Sequence, residues 1–180
     1  MHGIVSLLDS AHYRLVEALW AELDEMCSVR GVYVTPFPHF SYHVAAQYEV
    51  DKLAEIVQEV ARDTVSFHIR TTGLGMFTGA QPVLYLPIVR TSELSRLHHT
   101  LWHTIAPVST GRVDYYHPDV WMPHITIGFG DVDVESASAV IRLLGARTRD
   151  WDIAIDNLTL GYDTGTRQEA RTRYSLAASD

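Results

Sequence analysis

Cysteine and lysine are almost absent from this chain of 180 residues, which contains one of each, Cys27 and Lys52. A single cysteine has no partner within the chain, so an intrachain disulfide is excluded and a reducing compartment is favoured. No stretch approaches the roughly 18 consecutive apolar residues of a membrane span, and the first residues lack the basic and apolar regions of a secretion signal. We therefore expect a cytoplasmic protein without a membrane partner.

Positive charge is also scarce, because 14 basic residues face 22 acidic ones and give a formal net charge of −8. Proteins that hold long nucleic acids rely on many phosphate contacts from lysine and arginine, and this sequence has no basic run. Long nucleic acid is therefore not expected as a partner. A small cyclic nucleotide or an RNA terminus needs only a local group of donors, which ten histidines and arginines such as Arg70 and Arg90 can supply.

The chain also lacks low-complexity tracts and linkers, and 47% of its residues are hydrophobic. A chain of this length and composition can bury a sizeable core within one domain. We expect a single bilobal domain over residues 1–180, and a monomer.

One short pattern occurs twice, as Pro38-His39-Phe40-Ser41-Tyr42 and as Pro123-His124-Ile125-Thr126-Ile127. Alternate side chains on a β-strand face opposite ways, so the two apolar residues of each copy can enter a core while the histidine and the hydroxyl residue share the other face. Imidazole both donates and accepts protons near neutral pH. Two such strands facing across a cleft predict an acid/base pair, His39 and His124.

The hydroxyl residues of the two motifs, Ser41 and Thr126, are predicted to bind phosphate, because a hydroxyl beside an imidazole can hold a phosphoryl oxygen. His43 would share their face if the strand is regular, which makes it a third candidate phosphate ligand. The alternative is a histidine at the cleft edge without a role.

The predicted elements repeat in order as well, each half reading strand, helix, loop, histidine strand and helix. The first set covers residues 4–8, 10–29, 31–38, 39–47 and 50–62, and the second covers 83–89, 92–105, a loop, 124–129 and 132–144. Further strands are predicted at 65–71, 151–162 and 171–176. This order predicts an α+β fold with pseudo-twofold halves, roughly 1–80 and 81–180, and two antiparallel-rich sheets flanked by helices around a central cleft.

Three aromatic residues precede the second motif, namely Tyr115, Tyr116 and Trp121. Base stacking contributes roughly 1–3 kcal/mol per base, so these side chains are candidates for holding a nucleobase. For Trp121 a place in the core is an equal alternative.

These residues resemble the 2H phosphoesterase superfamily, also called the LigT-like or 2′-5′ RNA ligase family, which is named for paired His-x-Thr/Ser motifs. The resemblance includes Gly73–Phe77 and the strand that follows it, and it covers nearly the whole chain. It implies a bilobal fold with a water-filled cleft, and metal-independent chemistry on 2′,3′-cyclic phosphates, 2′-5′ linkages or ADP-ribose cyclic phosphate. The sequence departs from the family at Ser41, where threonine is commoner, and at His43, where many relatives carry arginine.

We therefore predict an enzyme that hydrolyses a cyclic phosphodiester with one neutral and one protonated histidine, without a metal or another cofactor. Use of the same site for 2′-5′ RNA ligation stays open. One alternative is a non-catalytic module that binds nucleotides or RNA ends. Another is a metal-dependent hydrolase; His99 and His103 lie four residues apart, but Thr100 occupies the place of the zincin glutamate.

Overall fold

Helices and strands are interspersed along residues 2–178, the part of the chain that the computed structural model describes. The four helices are α1 (Ser10–Cys27), α2 (Val50–Asp63), α3 (Ser92–Ile105) and α4 (Val134–Leu144). The ten strands are β1 (His2–Leu7), β2 (His39–Tyr48), β3 (Phe67–Arg70), β4 (Gly75–Phe77), β5 (Val83–Pro87), β6 (Ser109–Arg112), β7 (His124–Phe129), β8 (Asp152–Ile155), β9 (Asn157–Asp163) and β10 (Gln168–Ser175).

The strands form antiparallel sheets, as predicted for an α+β fold. One sheet has five strands in the order β10-β9-β1-β2-β6. The remaining strands form a three-stranded sheet, β4-β5-β7, and a pair, β3-β8, which are linked by an isolated bridge between Thr71 and Ile88. The two histidine strands, β2 and β7, thus belong to different sheets.

Polar groups at the helix ends explain where two of the helices begin. The Asp9 carboxylate accepts hydrogen bonds from the backbone N–H groups of Ala11 and His12, and so caps α1. Asp133 caps α4 in a capping box with Ser136. Both caps satisfy N–H groups that have no partner within the helix, so each helix begins directly after its aspartate.

Several elements differ from the prediction, among them β4, which lies outside every predicted element. The strand predicted at 151–162 is divided at Asp156 into β8 and β9, which pair in different sheets. Strand β6 lies within a predicted loop. Its sequence, Ser-Thr-Gly-Arg, is mostly exposed and lacks apolar alternation, and it is a strand because it pairs with the end of β2.

The apolar residues of both motifs enter the core, as their alternation predicts. Phe40 and Tyr42 of β2, and Ile125 and Ile127 of β7, are at most 1% exposed. The opposite faces of these two strands are therefore left for the histidines and hydroxyls. No helix within residues 2–178 combines the length and the apolar character needed to cross a membrane.

Candidate active site

A cleft with a volume of about 810 Å³ is lined by residues from the five-stranded sheet and from the three-stranded sheet. His39 and Ser41 of β2 and His124 and Thr126 of β7 all line it. Each of these four side chains is half-buried. The structure therefore brings together in one cleft the four motif residues that the sequence predicts as the site.

Each histidine is oriented by the carbonyl group two residues before it. His39 Nδ1–H donates to Phe37 O at 2.8 Å, and His124 Nδ1–H donates to Met122 O at 2.7 Å. Because a carbonyl oxygen only accepts, these bonds place a proton on Nδ1 and leave Nε2 as the nitrogen that can serve a substrate. The proline between carbonyl and histidine has a fixed φ, which restricts this turn in both motifs.

Burial lowers the pKa of both histidines. For His39, loss of water lowers the pKa to about 4, the bond to Phe37 opposes this shift, and the nearby His124 lowers the pKa further. Burial also lowers the pKa of His124, opposed by its bond to Met122. Both rings are therefore mainly uncharged at neutral pH in the free protein. Both imidazoles line the same cleft, so a positive charge on one disfavours a positive charge on the other.

Aromatic rings pack against both histidines and explain much of this loss of water. The Phe37 ring lies 5.0 Å from the His39 ring, and the rings of Phe77 and Tyr85 each lie 5.0 Å from that of His124. Tyr85 was not among the residues predicted for the site. Its place in β5, beside β7, brings it there.

A tryptophan indole supports each motif strand through the backbone of its hydroxyl residue. Trp121 Nε1–H donates to Ser41 O at 3.0 Å, and Trp20 Nε1–H donates to Thr126 O at 3.1 Å. Each indole comes from the half of the chain opposite to the strand that it supports. These bonds tie β2 and β7 to the other half of the molecule, and so help to hold the two cleft walls in fixed positions.

A β-bulge in β2 changes which of its side chains face the cleft. Ser41 and His43 lie opposite consecutive residues of β1, so Tyr42 is an extra residue in the strand. An extra residue shifts the alternation of side chains by one position. As a result His43 is 0% exposed and Val44 lines the cleft instead. The prediction that His43 shares the face of Ser41 is wrong, and His43 does not line the cleft.

Strand β7 has the same irregularity at the same place. Thr126 and Gly128 lie opposite consecutive residues of β5, so Ile127 is the extra residue. Both bulges thus fall three residues after the motif histidine. Gly128 corresponds to His43, and it is closely packed, since a Cβ there would lie 3.0 Å from the Val29 side chain. The repetition of the motifs therefore extends to the backbone geometry of the strands.

His43 instead belongs to a buried group of rings behind the cleft. Its Nδ1 lies 2.7 Å from Tyr48 Oη, and its ring centroid lies 5.0 Å from that of Trp102. Burial lowers its pKa to about 4, and the positive charge of Arg112 adds to this effect. Protonation of His43 is therefore costly in the folded protein but not in the unfolded chain.

We predict that His43 makes the folded protein less stable in acid. The unfolded chain takes up a proton near pH 6.5 and the folded protein only near pH 4, so stability present above pH 6.5 is lost as the pH falls towards 4. The full loss from this one group is on the order of 3 kcal/mol. Denaturant unfolding between pH 7 and pH 4 should show a decline that is less steep in His43→Gln. Substitution of the exposed His68 by glutamine is the control, and equal slopes in wild type and His43→Gln would contradict the prediction.

The three aromatic stacking candidates have different environments. Tyr115 is 83% exposed at the mouth of the cleft and is open to a ligand. The Tyr116 side chain is half-buried and lies near the Ser41 side chain, while burial raises its pKa. Trp121 is 2% exposed and stacks on His98 with ring centroids 3.7 Å apart. The structure thus places Trp121 in the core, as in the alternative interpretation, and not on an open stacking surface.

His98, for which the sequence predicts no role, supports the same wall. Besides stacking on Trp121, its Nε2–H donates to Tyr116 O at 3.1 Å. Trp121 in turn donates to Ser41 O, and the Tyr116 side chain lies near that of Ser41. No local pattern around His98 predicts this position, because its partners lie 18 and 23 residues further along the chain.

Within residues 2–178, no group of three or more histidine, cysteine, aspartate or glutamate side chains is placed to hold a metal ion. The rings of His99 and His103 lie 4.0 Å apart on an exposed part of α3.

Two antiparallel sheets with a His-x-hydroxyl strand on each side of one cleft define the class of 2H phosphoesterases. This chain belongs to the 2′-5′ RNA ligase superfamily, whose family model matches residues 8–167. The family predicted from the paired motifs is therefore confirmed.

Solved structures share this fold over nearly their whole length. TT0787 of Thermus thermophilus matches with a TM-score of 0.69 and 15% identity, covering 99% of both chains. E. coli LigT complexed with 3′-AMP matches with a TM-score of 0.62 and 16% identity, covering 97% of both chains. At such identities the likeness shows the fold alone. A comparison with curated protein sequences gives no match.

Proposed function

We propose that this protein cleaves the 2′,3′-cyclic phosphodiester of a nucleotide or an RNA end, with His39 and His124 as the acid/base pair. The observation that carries the proposal is the pair of imidazoles in one cleft, each oriented by a backbone carbonyl and each beside a hydroxyl. E. coli LigT is crystallised with ATP, with 3′-AMP and with NADP+, which supports a ligand of nucleotide size.

In this reaction a water molecule attacks the phosphorus in line with the departing ribose oxygen. The neutral histidine accepts a proton from the water through Nε2, and the protonated histidine donates its Nε2 proton to the ribose oxygen. One P–O bond forms and one breaks, so the product is a phosphomonoester. The Ser41 and Thr126 hydroxyls donate to the non-bridging oxygens as charge develops on them. An RNA 5′-hydroxyl in place of water gives a 2′-5′ linkage through the same proton transfers, when the P–O bond to the ribose 3′-oxygen is the one that breaks.

The lowered histidine pKa values predict an acidic pH optimum. The pH dependence of kcat/KM reports the pKa values of groups in the free enzyme. The alkaline limb of kcat/KM should therefore lie below pH 6.5, because the histidine that acts as the acid loses its proton as the pH rises through its lowered pKa. A bound phosphate anion stabilises the imidazolium, so the alkaline limb of kcat should lie at higher pH. Initial rates from about pH 4 to about pH 9, with circular dichroism at each pH, test whether the alkaline limb of kcat/KM lies at lower pH than that of kcat. A kcat/KM that increases up to about pH 8 would contradict it.

The assay that tests the function is incubation of the protein with 2′,3′-cyclic AMP after exhaustive chelation of metals, with the phosphomonoester product separated by chromatography. Turnover is expected under these conditions. Tight binding without turnover would instead identify a nucleotide-binding module. Activity that is lost on chelation and restored by zinc would identify a metal-dependent hydrolase.

A further inference from the structure

The walls of the cleft are electrically neutral over the part of the chain that the structure describes. Among residues 2–178, those that form the walls include no arginine, lysine, aspartate or glutamate. Apart from the four motif residues, the polar groups there are neutral hydroxyls and amides of Thr35, Thr78, Gln81, Gln168, Tyr115 and Tyr116. Of the described wall residues, the two motif histidines are thus the only ones that become positively charged when they take up a proton.

Arginines near the cleft contact other groups. The Arg90 guanidinium donates to Trp121 O at 3.2 Å and to Pro118 O at 2.6 Å. The Arg112 guanidinium lies 5.2 Å from the centre of the Trp102 ring. Neither arginine lines the cleft, so neither takes the place of the arginine that the resemblance to the family leads one to expect at position 43.

Exposed apolar side chains surround the cleft. Large apolar groups that are exposed together mark a surface for a ligand. Six residues of the walls are large, apolar and between 38% and 83% exposed, namely Val34, Met76, Tyr115, Val120, Met122 and Phe129. The ligand is therefore expected to present uncharged, largely apolar surface outside its reacting phosphate.

We infer that the cleft selects substrates that carry a single negative charge, on the reacting phosphodiester itself, and discriminates against those with a second phosphate. This inference rests on the proposed function and narrows it to cyclic mononucleotides, or similarly small esters, over 5′-phosphorylated nucleotides and RNA ends. The remainder of the substrate is an aromatic base or a comparable apolar group.

The physical reason is the lack of any counter-charge for a second phosphate on the described walls. The reacting phosphate shares the cleft with two imidazoles, one of which is protonated in the productive complex. A second phosphate would leave water for a wall of neutral and apolar groups, which is unfavourable for a charged group without a partner. The formal charge of −8 on the whole protein adds a long-range repulsion.

Two substrates that differ only in one phosphate test this inference. We compare adenosine 2′,3′-cyclic phosphate with the same molecule phosphorylated at its 5′-hydroxyl. The additional phosphate should lower kcat/KM by about tenfold or more at an ionic strength of ~0.01 M. The difference in kcat/KM between the two substrates should be smaller at ~0.15 M, because salt screens the repulsion. A dinucleotide that ends in the cyclic phosphate should have a kcat/KM between the values of these two substrates.

Binding is measured in parallel by calorimetry on His124→Ala, which separates the two proposals. If the wild type cleaves both substrates with kcat/KM values within twofold of each other, the charge selection is wrong and the proposed function stands. If it cleaves neither, the proposed function is wrong, and the ratio of the two dissociation constants still decides the charge selection. Equal dissociation constants, or binding of neither substrate, would overturn the selection as well.

A cation placed at the cleft mouth provides the converse test. Val34 and Val120 are 41% and 60% exposed, so arginine fits at either position without filling the core. Val34→Arg or Val120→Arg should raise the relative kcat/KM for the 5′-phosphorylated substrate, compared with glutamine at the same position. If the arginine and glutamine variants at both positions all keep the wild-type ratio of kcat/KM between the two substrates, the charge of the walls does not set the selection.

Discussion

Replacement of His39 or His124 by alanine is expected to reduce turnover of the preferred cyclic phosphate by about two to four orders of magnitude. A positioned acid or base typically contributes ~10²–10⁴-fold, and each imidazole here is fixed through its Nδ1–H by a backbone carbonyl. The fold should persist, because both side chains are half-buried at the cleft and lie outside the core.

The matched control is His99→Ala, which removes an exposed imidazole from α3 and should leave turnover unchanged. The double variant His39→Ala/His124→Ala should be little worse than the less active single variant, because residues that act as a unit are not additive. A single variant that is folded by circular dichroism and retains near wild-type turnover would refute the paired acid/base assignment. Fully additive losses would show that the two imidazoles act independently.

The faces of the two motif strands could be predicted because they depend on local geometry. Alternation along a strand places Phe40 in the core and His39 in the cleft, whatever the strand pairs with. The same holds for Ile125 and His124 in β7. The bounds of α3 and β7 also agree with the sequence prediction, since each element has clear periodicity over its whole length.

The position of His43 could not be predicted in this way, because a bulge depends on the pairing of two strands. The extra residue at Tyr42 arises where β1 and β2 change register, and β1 lies more than 30 positions earlier in the chain. Beyond that point the alternation is reversed. A pattern of two-residue spacing therefore holds from His39 to Ser41 and fails at the next step.

The supporting residues of the cleft are likewise set by distant contacts. Trp20 reaches β7 over 106 positions, and Trp121 reaches β2 over 80. The neutral character of the walls also depends on where arginines such as Arg90 find their partners. A net charge of −8 indicates that cations are few, but it does not indicate which of them line the site.

The hydroxyls should matter less than the imidazoles, and Thr126→Val is the sharpest test of them. Valine keeps the branched shape of threonine on the strand and removes only the oxygen. The bond from Trp20 to the backbone carbonyl at position 126 remains, so the wall keeps its support. A hydrogen bond to a charged group contributes roughly 1.5–3 kcal/mol, which corresponds to a loss of about 10- to 150-fold in kcat/KM.

Ser41→Ala should cause a loss of the same kind, since its backbone carbonyl keeps the bond from Trp121. The Tyr116 hydroxyl group lies near the Ser41 hydroxyl, so Tyr116→Phe is the companion variant. If the Ser41 hydroxyl binds phosphate, Ser41→Ala lowers kcat/KM much more than Tyr116→Phe. If Thr126→Val and Ser41→Ala both leave kcat/KM within twofold of wild type, the hydroxyls do not hold the phosphate. With no arginine or lysine among the cleft-lining residues of 2–178, the imidazoles and neutral wall groups would then be the donors left to hold it.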